Sequence, residues 1–138
     1  MRRWTILAGL FLLLGGCART LPDQDRRIYG AVPVAKMTAA DLWKDYQQSA
    51  VDANARYWGK AVEVSGPVTN ASTGTTAQPF VFFKQEGGLG VQANLLDDQA
   101  AEILTSASAG RRLTLKCFAA GLVGNVILKS CVRPEPGR

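Results

Sequence analysis

Five short apolar or alternating runs follow a helical stripe, with a brief helix between the third and the fourth. Together they predict an all-β domain leaning towards α+β. That order is the topology of the OB-fold, a five-stranded Greek-key barrel, here with an N-terminal helix in front of it. Two observations carry the prediction. The first strand alternates along its length, and the helix that interrupts the strands falls after the third of them.

The elements follow in order. Thr38 is a suitable cap for the N-terminal helix, and Asp41 sits favourably in its first turn. Leu42, Tyr46, Ala50, Ala53 and Tyr57 recur at three- and four-residue steps, which predicts one continuous helix ended by Gly59. Residues 60–69 alternate, with Val62, Val64, Gly66 and Val68 on one face and Glu63 and Ser65 on the other, a half-buried strand. Gly66 in mid-strand suits sharp coiling or a bulge. Residues 69–76 read as a polar loop. The second strand is 80–84, residues 85–88 make a turn, and the third strand is 89–95 with Val91 and Ala93 in phase. Asp97 and Asp98 open the short helix, where they serve its N-terminus better than they would serve as a catalytic acid pair. Strand four is 111–118, residues 121–125 turn, and strand five is 126–132. The expected core is Val62, Val64, Val81, Phe83, Val91, Leu113, Leu115 and Leu128.

One stretch narrows the fold further. Tyr57, Gly59 and Lys60 form a Tyr-x-Gly-Lys step, and Val62, Val64, Gly66 and Val68 continue it as Val-x-Val-x-Gly-x-Val. Later, Cys117-Phe118-Ala119-Ala120-Gly121 is followed by Leu128-Lys129-Ser130-Cys131. In order and spacing these segments resemble the tRNA anti-like OB-fold family, across most of residues 40–132. The resemblance implies a fold and no reaction.

Ahead of the domain, Arg2 and Arg3 precede an apolar run, and Leu14-Gly15-Gly16-Cys17 follows it. This resembles the lipobox of a bacterial lipoprotein, with cleavage before Cys17 and lipid on its thiol. A spanning helix needs about 20 apolar residues, more than this run offers. A secreted signal of the A-x-A type is not matched. Ala18 after the cysteine points to the outer membrane, facing the periplasm. The expected organisation is a signal peptide at 1–16, a lipidated cysteine with flexible tether at 17–37, the OB-fold domain at 38–133 and a disordered tail at 134–138. Such a tether would span roughly 25 Å.

Cysteine arithmetic supports one bridge. With Cys17 consumed by lipid, Cys117 and Cys131 remain as an even pair in an oxidising compartment. A hairpin centred near Gly124 sets them opposite one another. Two buried thiols or a redox pair are the competing readings, although catalytic pairs usually sit closer, as C-x-x-C.

Charge and chemistry restrict function. The formal charge of +5 falls to +3 once Arg2 and Arg3 leave with the leader, and no segment carries a basic stripe of the kind nucleic-acid binders show. Histidine is absent, which removes the usual general base and the commonest metal ligand. No metal-ligand spacing is present, and neither a cofactor nor catalytic residues are expected. The candidate ligand face lies on strands two and three. If Val81 and Phe83 point inward, Phe80, Phe82 and Lys84 point out, beside Gln92 and Asn94, a surface suited to stacking and amide hydrogen bonding. The opposing possibility is that Phe80 and Phe82 pack beneath the N-terminal helix against Leu42 and Tyr46. The leading expectation is a non-enzymatic envelope module, membrane-bound through Cys17, that holds a small ligand, glycan or protein partner. A nucleic-acid binder is the alternative, disfavoured by location, and an enzyme comes last.

Overall fold

The computed structural model describes residues 21–72 and 78–135. The expected signal peptide with Cys17, residues 73–77 of the expected polar loop and residues 136–138 of the expected tail lie outside the described residues.

The fold begins well before Thr38. Residues 21–37, expected to be a flexible tether, are docked as a strap. A 3-10 turn spans Arg26–Tyr29, and β1, Ala35–Thr38, pairs in parallel with β2, Ala61–Pro67. No hydrophobic period announces this segment because it is held one group at a time. Ile28 is fully buried with Ala61, Leu96 and Val132. The Asp25 carboxylate accepts from the Arg27 backbone N–H at 3.0 Å, capping the turn, while the Asp25 N–H donates to Ser130 Oγ at 2.8 Å. The Lys116 ammonium is buried and donates to the carbonyls of Tyr29 and Ala31 at 3.2 and 3.1 Å. Lys129 pairs with Asp23 at 2.8 Å. The Arg27 guanidinium, bonded to the Asp25 carboxylate, holds that carboxyl below its ordinary pKa against the opposing effect of burial.

The expected single N-terminal helix is two: α1, Ala39–Gln48, and α2, Ala50–Tyr57. Ser49 breaks the stripe. Its backbone is extended, and its Oγ accepts from the Asp52 N–H at 3.2 Å, capping α2 as Thr38 caps α1. Short hydroxyl side chains compete in this way with the helical ladder. Two phenols tie the helices together: Tyr46 donates to Asn54 Oδ1 at 2.9 Å and Tyr57 to Asp45 Oδ2 at 2.7 Å. Burial pushes the Tyr46 hydroxyl up to about 12, and burial with the Asp45 hydrogen bond raises Tyr57 as well. A phenol raised in the folded state ionises first in the unfolded chain. Its contribution is therefore intact below about pH 10 and lost as pH rises through the folded value. Thermal unfolding followed from pH 9 upwards should show the Tm falling across that window, and falling less in Tyr46→Phe. Identical slopes in the two proteins would refute the assignment.

The remaining elements are β3 (Asn70–Ser72), β4 (Phe80–Glu86), β5 (Leu89–Leu95), α3 (Asp97–Ser106), β6 (Arg112–Val123) and β7 (Asn125–Val132). The described residues form a seven-stranded mixed sheet, β1-β2-β6-β7-β5-β4-β3, where five strands were expected. β1 comes from the strap. β3 comes from the expected polar loop, and its Asn and Ser side chains gave no strand signal because it joins by backbone pairing along β4. Only Val68 and Thr69 separate β2 from β3, and the Thr69 N–H donates to the Phe82 carbonyl at 2.9 Å. One stretch of chain therefore supplies strands near both ends of the sheet order, an OB-like arrangement.

Every expected core residue is buried, and α1 closes the core with Leu42, Trp43 and Tyr46. Gly66 marks no bulge. Its register with Leu113 is regular, and a Cβ there would lie 3.4 Å from both Ala39 Cβ and Phe83 Cδ1. The glycine lets the first turn of α1 approach the sheet. The last hairpin also runs further than expected, turning at Gly124 alone, with φ of 70°.

Cys117 and Cys131 form a disulfide with Cα atoms 4.2 Å apart. The register steps from Phe118↔Lys129 to Lys116↔Val132, so Cys117 faces two residues of β7. Ser130 is the extra residue of this bulge. It is buried, with φ of 56°, and its Oγ donates to the Asp23 carbonyl at 3.2 Å as well as accepting from Asp25. Closing a loop of this length stabilises a domain by about 3 kcal/mol. Denaturant unfolding of Cys117→Ala/Cys131→Ala should show a loss of that order. A variant as stable as the oxidised parent would assign the bridge no structural weight.

Candidate functional site

The alternation of β4 and β5 separates two faces. Val81, Phe83, Val91 and Ala93 are fully buried, whereas Phe80, Phe82, Gln92 and Asn94 are half-buried on the opposite face and Lys84 is exposed. Leu42 and Tyr46 of α1 belong to the same buried cluster as Val81 and Phe83. Phe80 and Phe82 belong to neither buried cluster among the described residues.

Register builds this outer face into two rows. Phe82 stands between Asn70 of β3 and Gln92 of β5, and Gln92 in turn neighbours Ile127 of β7. Phe80 stands between Ser72 and Asn94. The Gln92 amide donates to Asn94 Oδ1 at 2.9 Å, which fixes both side chains along β5. Lys84 lies one step beyond Phe82 on the same face, opposite Gly90. Two aromatic rings bordered by fixed amides and one cation can stack on a planar or sugar ring and hydrogen-bond its substituents. Asn70, Ser72 and Ile127 join the surface only through strand pairing. Local alternation could not find them.

The fold assembles a second feature that the sequence disperses. The start of β6 and the end of β7 bring Arg111, Arg112 and Arg133 around an open cleft of about 350 Å³, with Ser106 and Thr114 also in its wall. Arg133 donates to Ser106 Oγ at 2.5 Å and lies 3.8 Å from the Glu102 carboxylate, while its Nε is buried with no hydrogen-bond partner among the described residues. Arg112 and Arg133 are about twenty positions apart in the chain, so charge patterning alone does not group them.

The tRNA_anti-like family model matches residues 5–132. A comparison with curated proteins gives no match. Among solved structures, a candidate nucleic acid-binding lipoprotein from Klebsiella pneumoniae subsp. pneumoniae MGH 78578 is similar in fold. It is 15% identical with a TM-score of 0.54, over 80% of this chain and 98% of that one.

Proposed function

This chain belongs to the tRNA anti-like family, and from that premise we propose that it is a lipid-anchored envelope protein whose OB barrel is a non-enzymatic binding module. The observation that carries the reading is the outer face of β4 and β5, where Phe80 and Phe82 alternate with side chains that complete the core and are flanked by Gln92, Asn94 and Lys84. Its ligand is a small molecule, glycan or protein segment with a ring or planar group to stack. The leader, with Arg2, Arg3 and Leu14-Gly15-Gly16-Cys17, supports acylation at Cys17 and placement of the domain in the periplasm, on the outer membrane by the residue at position 18.

Phe80→Ala/Phe82→Ala tests the face. In pull-downs from crosslinked cells the double variant should lose its captured partners by on the order of tenfold or more, the effect of removing paired aromatic anchors. Thermal unfolding of the same protein checks that the barrel persists. Equal recovery by folded variant and parent would remove the face from consideration.

A nucleic acid or other polyanion is the second reading, favoured by the cleft of Arg111, Arg112 and Arg133. It requires binding to single-stranded DNA that weakens steeply as salt rises. It also requires that Arg112→Ala, and not the aromatic double variant, abolish that binding.

A further inference from the structure

Resting on the reading of Cys17 as the anchor, we infer that the domain lies directly on the bilayer. The apposed surface is the one around Leu21, Gly59 and Trp58 together with the outer face of α2.

The length of the leash comes first. Leu21 is already docked: its carbonyl accepts from Lys129 Nζ at 3.1 Å, and a Cβ at Gly59 would lie 3.8 Å from its side chain. The four steps from Cys17 to Leu21 span at most about 14 Å when fully extended. A domain of this size has a radius of gyration of about 13 Å, so its far side lies roughly 30 Å from the point where the leash leaves. An anchor this short cannot hold the domain clear of the headgroups or let its far side turn towards them.

The chemistry of that pole fits a membrane surface. Gly59 is flanked by Trp58, half-buried, and Lys60, exposed. Beside them, the side chain of Arg27 is 79% exposed and lines a small cleft with Leu21, Gly59 and Phe118. From Trp58, which bridges Ala119, α2 runs back along β6, with Asn54 against Gly121. Val51, 80% exposed, lines one shallow surface with Ala55 and Trp58. Tryptophan at headgroup level with lysine and arginine around it is the composition of an interfacial contact. The acids closest to the leash, Asp23 and Asp25, are ion-paired with Lys129 and Arg27.

Strand order makes this placement compatible with the ligand face. β6, against which α2 packs, is separated from β4 by β7 and β5 in the sheet order. Phe80 and Phe82, on β4, are therefore separated by two strands from the part of the sheet that α2 covers.

The test uses the full acylated chain in vesicles of phosphatidylcholine and phosphatidylglycerol, with and without brominated acyl chains. Trp58 emission is taken as the difference between the parent and Trp58→Phe. Bromine should quench it roughly twofold, as for a side chain seated at the headgroup boundary. A glycine-serine insertion after Ala18, lengthening the leash, should weaken the quenching while the protein still floats with the vesicles. A chain that floats and carries its lipid by mass spectrometry, yet leaves Trp58 unquenched and open to aqueous iodide, overturns the apposition alone. A chain without lipid on Cys17 overturns the anchor, and the apposition with it.

Discussion

A chain beginning at Met37 should fail to show the cooperative thermal unfolding of the full domain. The strap that this truncation removes is a set of groups whose partners stay behind in the sheet domain. Ile28 is fully buried, and deleting even part of such a side chain (Ile→Ala) costs about 2–5 kcal/mol. The Lys116 ammonium would lose both carbonyl partners and Ser130 Oγ its bond from Asp25. A buried group stripped of its partners costs about 1–3 kcal/mol, and more when charged. β2 would lose half of the strand paired along its edge, Ala35 and Lys36 opposite Val62 and Glu63. Against a total stability of about 5–15 kcal/mol for a small domain, these losses are decisive. The single substitution Ile28→Ala is the graded version. At about 4 °C per kcal/mol for a domain of a little over 100 residues, its Tm should fall by about 8–20 °C. Lys116→Met tests a separate element of the strap, since it removes the buried charge together with its need for the two carbonyls. A truncated chain that melts like the parent would show that the strap is only draped over the sheet.

What was legible in the sequence was whatever repeats at short range. Val62 and Val64, Val81 and Phe83, and Leu113 and Leu115 declared their buried face because a strand has a period of two and only one side meets the core. The same alternation set Phe80 and Phe82 outside. The break at Ser49 was hidden because the apolar stripe continues across it from Tyr46 to Ala53, although Ser49 followed by Asp52 is itself a capping pattern. The strap was not legible at all. Only Ile28 of the 3-10 turn is buried, and its neighbours are held by Ser130, Lys116 and Lys129, each about a hundred positions away in the chain. Long-range polar pairing leaves no periodic trace. For the same reason, Asn70 and Ile127 entered the candidate face, and Arg133 the arginine cleft, only once register was known.

Cys17→Ser should abolish membrane association, and the short leash makes the outcome informative. A serine hydroxyl cannot take the place of the thiol that receives the diacylglyceryl group, so the variant loses the lipid altogether. Each buried methylene is worth about 0.8 kcal/mol. One myristoyl chain alone binds only marginally and two signals are needed for stable anchoring, so the three chains of an acylated amino-terminal cysteine exceed that threshold. Without them, attachment would fall to the protein surface around Trp58. Lys60 and Arg27, the latter already paired with Asp25, are too few cations to hold a protein in place and are easily screened by salt. On this reading the anchor would supply affinity and the surface orientation. Fractionation of cells expressing the variant should place the protein in the soluble envelope fraction. Weak residual binding that disappears at high salt would report the orienting surface by itself. A Cys17→Ser protein recovered wholly with membranes and released only by detergent would mean that the leader is not a lipoprotein signal, and that the leash has been measured from the wrong residue.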